Sequence, residues 1–153
     1  MTVSRAVLAI GSCGILLACA AGPPPAPVER SREVAAAPDA VRRQIEARLS
    51  ALGFAMPEGP GGPARSSAAS PDWATCETVV VSGGSNSSQR DFAEPGARSA
   101  AVTVRYTPAG AGTRVDVATS FEATYQHRFR NTPFTEPCAT TGELERALLA
   151  AAG

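Results

Sequence analysis

Between Val115 and Tyr125 the chain alternates without a break. Val115, Val117, Thr119, Phe121, Ala123 and Tyr125 fall on one side of an extended strand, and Arg114, Asp116, Ala118, Ser120, Glu122 and Thr124 on the other. Side chains of a strand point to opposite faces in turn, so this pattern requires a sheet with one dry face and one wet face. A shorter alternating run precedes it: Ala100, Val102, Val104 and Tyr106, interleaved with Ala101, Thr103 and Arg105. The link between them, Thr107-Pro108-Ala109-Gly110-Ala111-Gly112, is turn chemistry, and the two runs read as an antiparallel hairpin.

The dry face needs a cover, and two amphipathic segments supply it. The first runs from Pro38 to Leu52. Pro38 suits the first helical turn, where its missing N–H is not needed. Val41, Ile45, Leu49 and Leu52 form one stripe, and Gly53 ends the segment so that Phe54 can fold back on the last turn. The second spans about Thr141 to Ala151, with the stripe Leu144, Ala147, Leu148 and Ala151. Thr140 and Glu143 have the spacing of a capping box. Trp73 to Ser82 reads as a further strand and Phe54-Ala55-Met56 as a short one. The Pro/Gly-rich stretch 57–71 and the Gly/Ser-rich stretch 82–98 read as loops, either a recognition surface or filler. The expected fold is α+β and two-layered: an antiparallel sheet of about four strands packed by an N-terminal and a C-terminal helix, in the order α-β-β-β-β-α.

Composition limits what such a domain is made of. Only 5 % of 153 residues are aromatic, so the core must be built chiefly from Val, Leu and Ala. All fourteen basic residues are Arg, balanced by fourteen acids. A neutral chain carries no electrostatic footprint for nucleic acid, and no nucleic-acid partner is expected.

The first residues are of another kind. Arg5 is followed by an apolar run from Ala6 to Ala18, too short for a transmembrane helix and right for an export signal. The run closes on Leu16-Leu17-Ala18-Cys19, which resembles the lipobox of bacterial lipoproteins. Ile10-Gly11-Ser12-Cys13 is a poorer match, because too little apolar chain precedes it. The resemblance implies that residues 1–18 are removed and that Cys19 is fatty-acylated and becomes the first residue. The partner is then the lipid bilayer, since two or more acyl chains hold where one does not. Ala20, where an Asp would mark retention in the inner membrane, implies the periplasmic face of the outer membrane in a cell that has one. Residues 19–37, with Gly22-Pro23-Pro24-Pro25-Ala26-Pro27, then read as a polyproline-rich tether, and 38–153 as the single α+β domain.

On that reading Cys13 leaves and Cys19 carries lipid. Cys76 and Cys138 remain as an even pair in an oxidising compartment, which is the pattern of a structural disulfide. Such a bond is expected to pin the final helix onto the sheet.

Little else suggests chemistry. His127 stands alone, with no Gly-x-Ser-x-Gly elbow to supply a nucleophile. One His and two bridged Cys do not make a metal site. Arg128 and Arg130 could form an anion site with Arg105 or Arg114, but Asp116 and Glu122 share that face and favour a mixed-charge surface. Trp73 reads either as a core ring or as an exposed anchor. No catalytic, cofactor-binding or metal residue is expected. The expected role is a non-enzymatic envelope component that presents its domain to an envelope protein or to the cell wall. The alternatives are a small envelope hydrolase or a small-ligand carrier.

Overall fold

The computed structural model describes residues 27–57, 62–82 and 90–153. Along the chain these form β1 (Ser31–Val34), α1 (Pro38–Ala51), β2 (Ala64–Ser66), a 3-10 turn (Pro71–Trp73), β3 (Ala74–Thr75), β4 (Val79–Ser82), β5 (Arg90–Ala93), β6 (Arg98–Ala109), β7 (Gly112–His127), β8 (Thr132–Thr140) and α2 (Glu143–Ala151). The main sheet runs β2-β6-β7-β8-β3, with β1 also on β7, and β4 and β5 pair separately.

The alternating hairpin is the spine. β6 and β7 pair from Arg98↔Ala123 to Ala109↔Gly112. Gly110 takes a positive φ of 57° in the two-residue turn, where a β-carbon would be strained. Gly112 must also stay bare, because a β-carbon there would collide with the carbonyl oxygen of Val34. On the dry face Val102, Val115 and Val117 meet Val41, Ile45 and Leu49 of α1 and Leu144, Leu148 and Leu149 of α2 in one core.

The other edge of β7 is shared. β1 takes it from Thr113 to Asp116, and β8 takes it from Phe121 to His127. Between them β8 leaves β7 and continues to Thr140 paired with β3. The chain before β1 lies in the resulting gap, where Val117 N–H donates to the Arg30 carbonyl. Arg32 reaches from β1 to the Leu149 carbonyl at 3.2 Å, placing a cation at the C-terminal end of α2.

Several expectations fail here. The protein is mostly β, with eight strands and two helices among the described residues, and not the expected four-strand α-β-β-β-β-α arrangement. β8 was not among the expected strands, and it carries Pro133 and Pro137, whose missing N–H groups work against a strand. Along that stretch β8 is an edge strand, where a missing N–H costs least. The expected strand from Trp73 to Ser82 is divided: the 3-10 turn ends at Trp73, β3 joins the main sheet, and β4 pairs with β5. β2 lies inside the stretch 57–71 taken for a loop, and β5 inside 82–98. Phe54-Ala55-Met56 contributes only a single bridge, Ala55↔Arg65. The folded part begins before residue 38, because Ser31–Val34 at the end of the expected tether pairs with β7.

The capping box does not form either. Gly142 precedes α2 at φ 84°, and no side chain caps the helix. Thr140 instead accepts from the Gly142 N–H at 3.0 Å and donates to Glu145. Glu145 is fully buried, as is Leu149, and neither lies on the expected stripe. The helix sits between α1 and β7 and is covered more widely than one stripe allows for.

Candidate functional site

Cys76 and Cys138 are joined by a disulfide, with Cα atoms 4.6 Å apart. Both flank the short β3–β8 ladder, so the bond fastens β3 to β8 rather than α2 to the sheet. It also holds the root of the β4–β5 ribbon. Beneath that ribbon lies a second small core of Val81, Ala93, Ala123 and Tyr125, with the disulfide and Phe134 against it. The Tyr125 hydroxyl donates to the Glu77 carbonyl at 2.7 Å, and its ring stacks on Phe134 at 5.4 Å. Asp91 of β5 meets Arg128, just past β7, at 3.4 Å. The ribbon is therefore held at its base by a covalent bond and a part-buried hydrogen bond, and nearer its tip by the Asp91–Arg128 ion pair.

Its outer face carries one exposed apolar pair beside the exposed polar pair Ser82–Arg90. Val80 and Phe92 stand directly opposite each other across the ladder. They are 53 % and 67 % exposed, respectively. Phe129, also exposed, follows Arg128 on the far side of the ion pair with Asp91.

A different opening lies at the other end of the sheet. Arg42, Glu46 and Leu49 share one face of α1, and Val102, Val104 and Tyr106 share one face of β6, each by the period of its own element. These two rows are the walls of a crevice of about 460 Å³. The Arg42 guanidinium lies over the Tyr106 ring, 5.5 Å from its centre. Half-burial, reinforced by the Glu46 carboxylate, pushes the Tyr106 hydroxyl up to about 12.

A buried carboxylate marks the gap between β7 and β8. Glu145 accepts from Thr119 at 2.6 Å and from Thr140 at 2.9 Å, and no ion pair reaches it among the described residues. On the wet face Ser31 of β1 stands opposite Asp116, and its hydroxyl holds the Asp116 carboxyl below the usual carboxylate range, with Arg114 acting the same way.

No protein-family model matches the chain, and neither a curated protein nor a solved structure does.

Of the residues singled out from the sequence, Cys76 and Cys138 are brought together. Leu16 to Cys19, and Cys13, lie outside the described residues. His127 ends β7 with its ring edge-on to Phe129 and Phe134 and its Nδ1 atom buried without a partner. Arg128 and Arg114 pair with Asp91 and Asp116, which makes a mixed-charge surface rather than an anion site. Trp73 is half-buried and stacks on Phe54 at 5.7 Å. Among the described residues no three His, Cys, Asp or Glu side chains lie close enough to hold a metal ion, and no helix is long and apolar enough to cross a membrane. The exposed Val80–Phe92 pair was missed. Val79-Val80-Val81 was its only signal, because a run of three valines cannot all face one core when side chains alternate.

Proposed function

We propose that the chain is an exported, fatty-acylated lipoprotein of the cell envelope that acts as a binding module and presents the outer face of the β4–β5 ribbon to another envelope protein. The observation that carries the binding role is the Val80–Phe92 pair. Single exposed apolar residues are ordinary. Two facing each other across a ribbon stapled at its base form a preorganised apolar strip, the feature expected of an interaction site. A protein partner with its own apolar pocket fits this strip better than the cell wall does, since a glycan strand needs hydrogen-bond donors around the ring.

Anchoring rests on the lipobox resemblance and places the module at the bilayer. The chain lies against the fold from Val28, beside Gly142, so residues 20–27 are the proposed spacer. At about 3 Å per residue in an extended polyproline form, they would reach roughly 24 Å. A solid core under both helices, with an exposed apolar pair outside it, supports a binding module.

A photo-crosslinking residue placed at position 92 in living cells tests the binding role. The expected result is a discrete adduct with one envelope protein, absent when the same residue replaces Thr103 on the wet face of β6. Equal labelling from both positions, or none from 92, would remove the ribbon from the binding role.

A further inference from the structure

We propose that the wet face of the main sheet carries a binding site for a short zwitterion of dipeptide size. The site is a hollow of about 240 Å³ over β2, β6 and β7, and it stands independently of the ribbon. Register gathers its residues. Arg65 stands opposite Ala101, Ala101 opposite Ser120, and Ser99 opposite Glu122. Their neighbours in sequence, Ala64, Ala100, Val102 and Phe121, are buried in the core of the dry face, so alternation turns these side chains outward. Ser67, just past β2, completes the rim. The middle of the hollow is Ser99, Ala101 and Ser120, all short side chains, while the longer Arg65 and Glu122 rise at opposite corners.

The two charges define the ligand. Glu122 has Ser99 and Pro137 as cross-strand neighbours, and Arg65 has Ala101 and Ala55, so no opposite charge stands beside either. Neither takes an ion pair among the described residues. Elsewhere on this face charge is matched: Asp116 has Arg114 at 3.3 Å and Arg105 opposite it on β6. Arg65 and Glu122 are two strands apart and two residues out of line, which puts about 12 Å between their Cα atoms. Side chains stand roughly upright on a sheet, so the two head groups are spaced for a molecule that is anionic at one end and cationic at the other. The planar Arg65 guanidinium suits the two oxygens of a carboxylate, and the Glu122 carboxylate takes an ammonium. Between them the Ser99 and Ser120 hydroxyls can donate to and accept from one peptide group, and Ala101 leaves room for a methyl side chain. The hollow has the volume of about eight water molecules in the liquid, which limits the ligand to about a dipeptide.

The test is calorimetric titration of the full chain, held in lipid nanodiscs, with L-alanyl-L-alanine. Its N-acetyl derivative, which lacks the cation, and its C-terminal amide, which lacks the anion, serve as comparisons. The expected result is saturable binding of the dipeptide, with Kd in the millimolar range or tighter, and at least about tenfold weaker binding of both blocked forms. Arg65→Glu and Glu122→Arg, both at exposed positions, should each weaken dipeptide binding at least about tenfold. The variant with both exchanges again offers one charge of each sign and should recover most of the affinity, with the dipeptide reversed. Equal binding of the three compounds, no saturable binding of the dipeptide, or a double variant no better than the single ones would overturn the assignment.

Discussion

Exchanging both Cys76 and Cys138 for alanine is expected to lower the thermal midpoint by about 10 °C or more. The two residues are 62 apart in sequence, and closing a loop of that size removes about 4 kcal/mol of unfolded-chain entropy at the upper end. The core under the ribbon has few other means of support. It is built from Val81, Ala93, Ala123 and Tyr125, and two of those four side chains are single methyl groups. Calorimetric or circular-dichroism melting of the double variant beside the oxidised protein checks the shift. The loss should fall mainly on the ribbon and β3, so amide exchange should rise most at residues 74–82 and 90–93. A midpoint unchanged by the double exchange would show that the staple carries no stability.

The second large effect lies at Glu145. Replacing it with Ala is expected to cost about 3 kcal/mol, because it removes the acceptor for two hydroxyls and leaves a cavity under α2. Glu145→Gln keeps the shape and one acceptor oxygen and should cost clearly less. The informative comparison is Glu145→Leu combined with Thr119→Val and Thr140→Val. Replacing every member of a buried polar cluster by apolar groups of similar shape can be nearly neutral, whereas removing one member strands the rest. Denaturant unfolding should therefore place the triple variant well above Glu145→Ala in stability. A triple variant as unstable as Glu145→Ala would mean that the carboxylate does more than satisfy its two threonines.

Glu145 also shows where the sequence stops being readable. β6, β7, α1 and α2 were legible because each carries its own periodicity over enough residues: Val115 to Tyr125 for β7, Val41-Ile45-Leu49 for α1, Leu144 and Leu148 for α2. The short strands were not. β1, β2 and β3 are four residues or fewer and owe their conformation to partners distant in sequence: Asp116 for Ser31, Ala101 for Arg65, Thr140 for Ala74. No local pattern encodes that. The prolines of β8 work against a strand locally, and its edge position overrides them. Thr140 and Glu143 had the right spacing for a cap, but Thr140 is drawn instead to the buried Glu145, a preference set by the gap between β7 and β8. The cysteine pair was legible from the number and expected fate of the four cysteines, but its place at β3 and β8 required the strands that the sequence concealed. The crevice rows on α1 and β6 each follow a clear period. Only their opposition across the fold makes a crevice, and that appears only in three dimensions.

The proposed role, a ribbon offered to other envelope proteins from a lipid-anchored spacer, depends on the proposed export and acylation at Cys19. Intact-mass and N-terminal peptide analysis of the protein extracted from membranes tests this most directly. The expected result is a chain that begins at Cys19 and carries the mass of its acyl groups, and a Cys19→Ser variant that carries none and is released from the membrane fraction. A chain that retains Met1, or one that begins elsewhere with an unmodified Cys19, would contradict it.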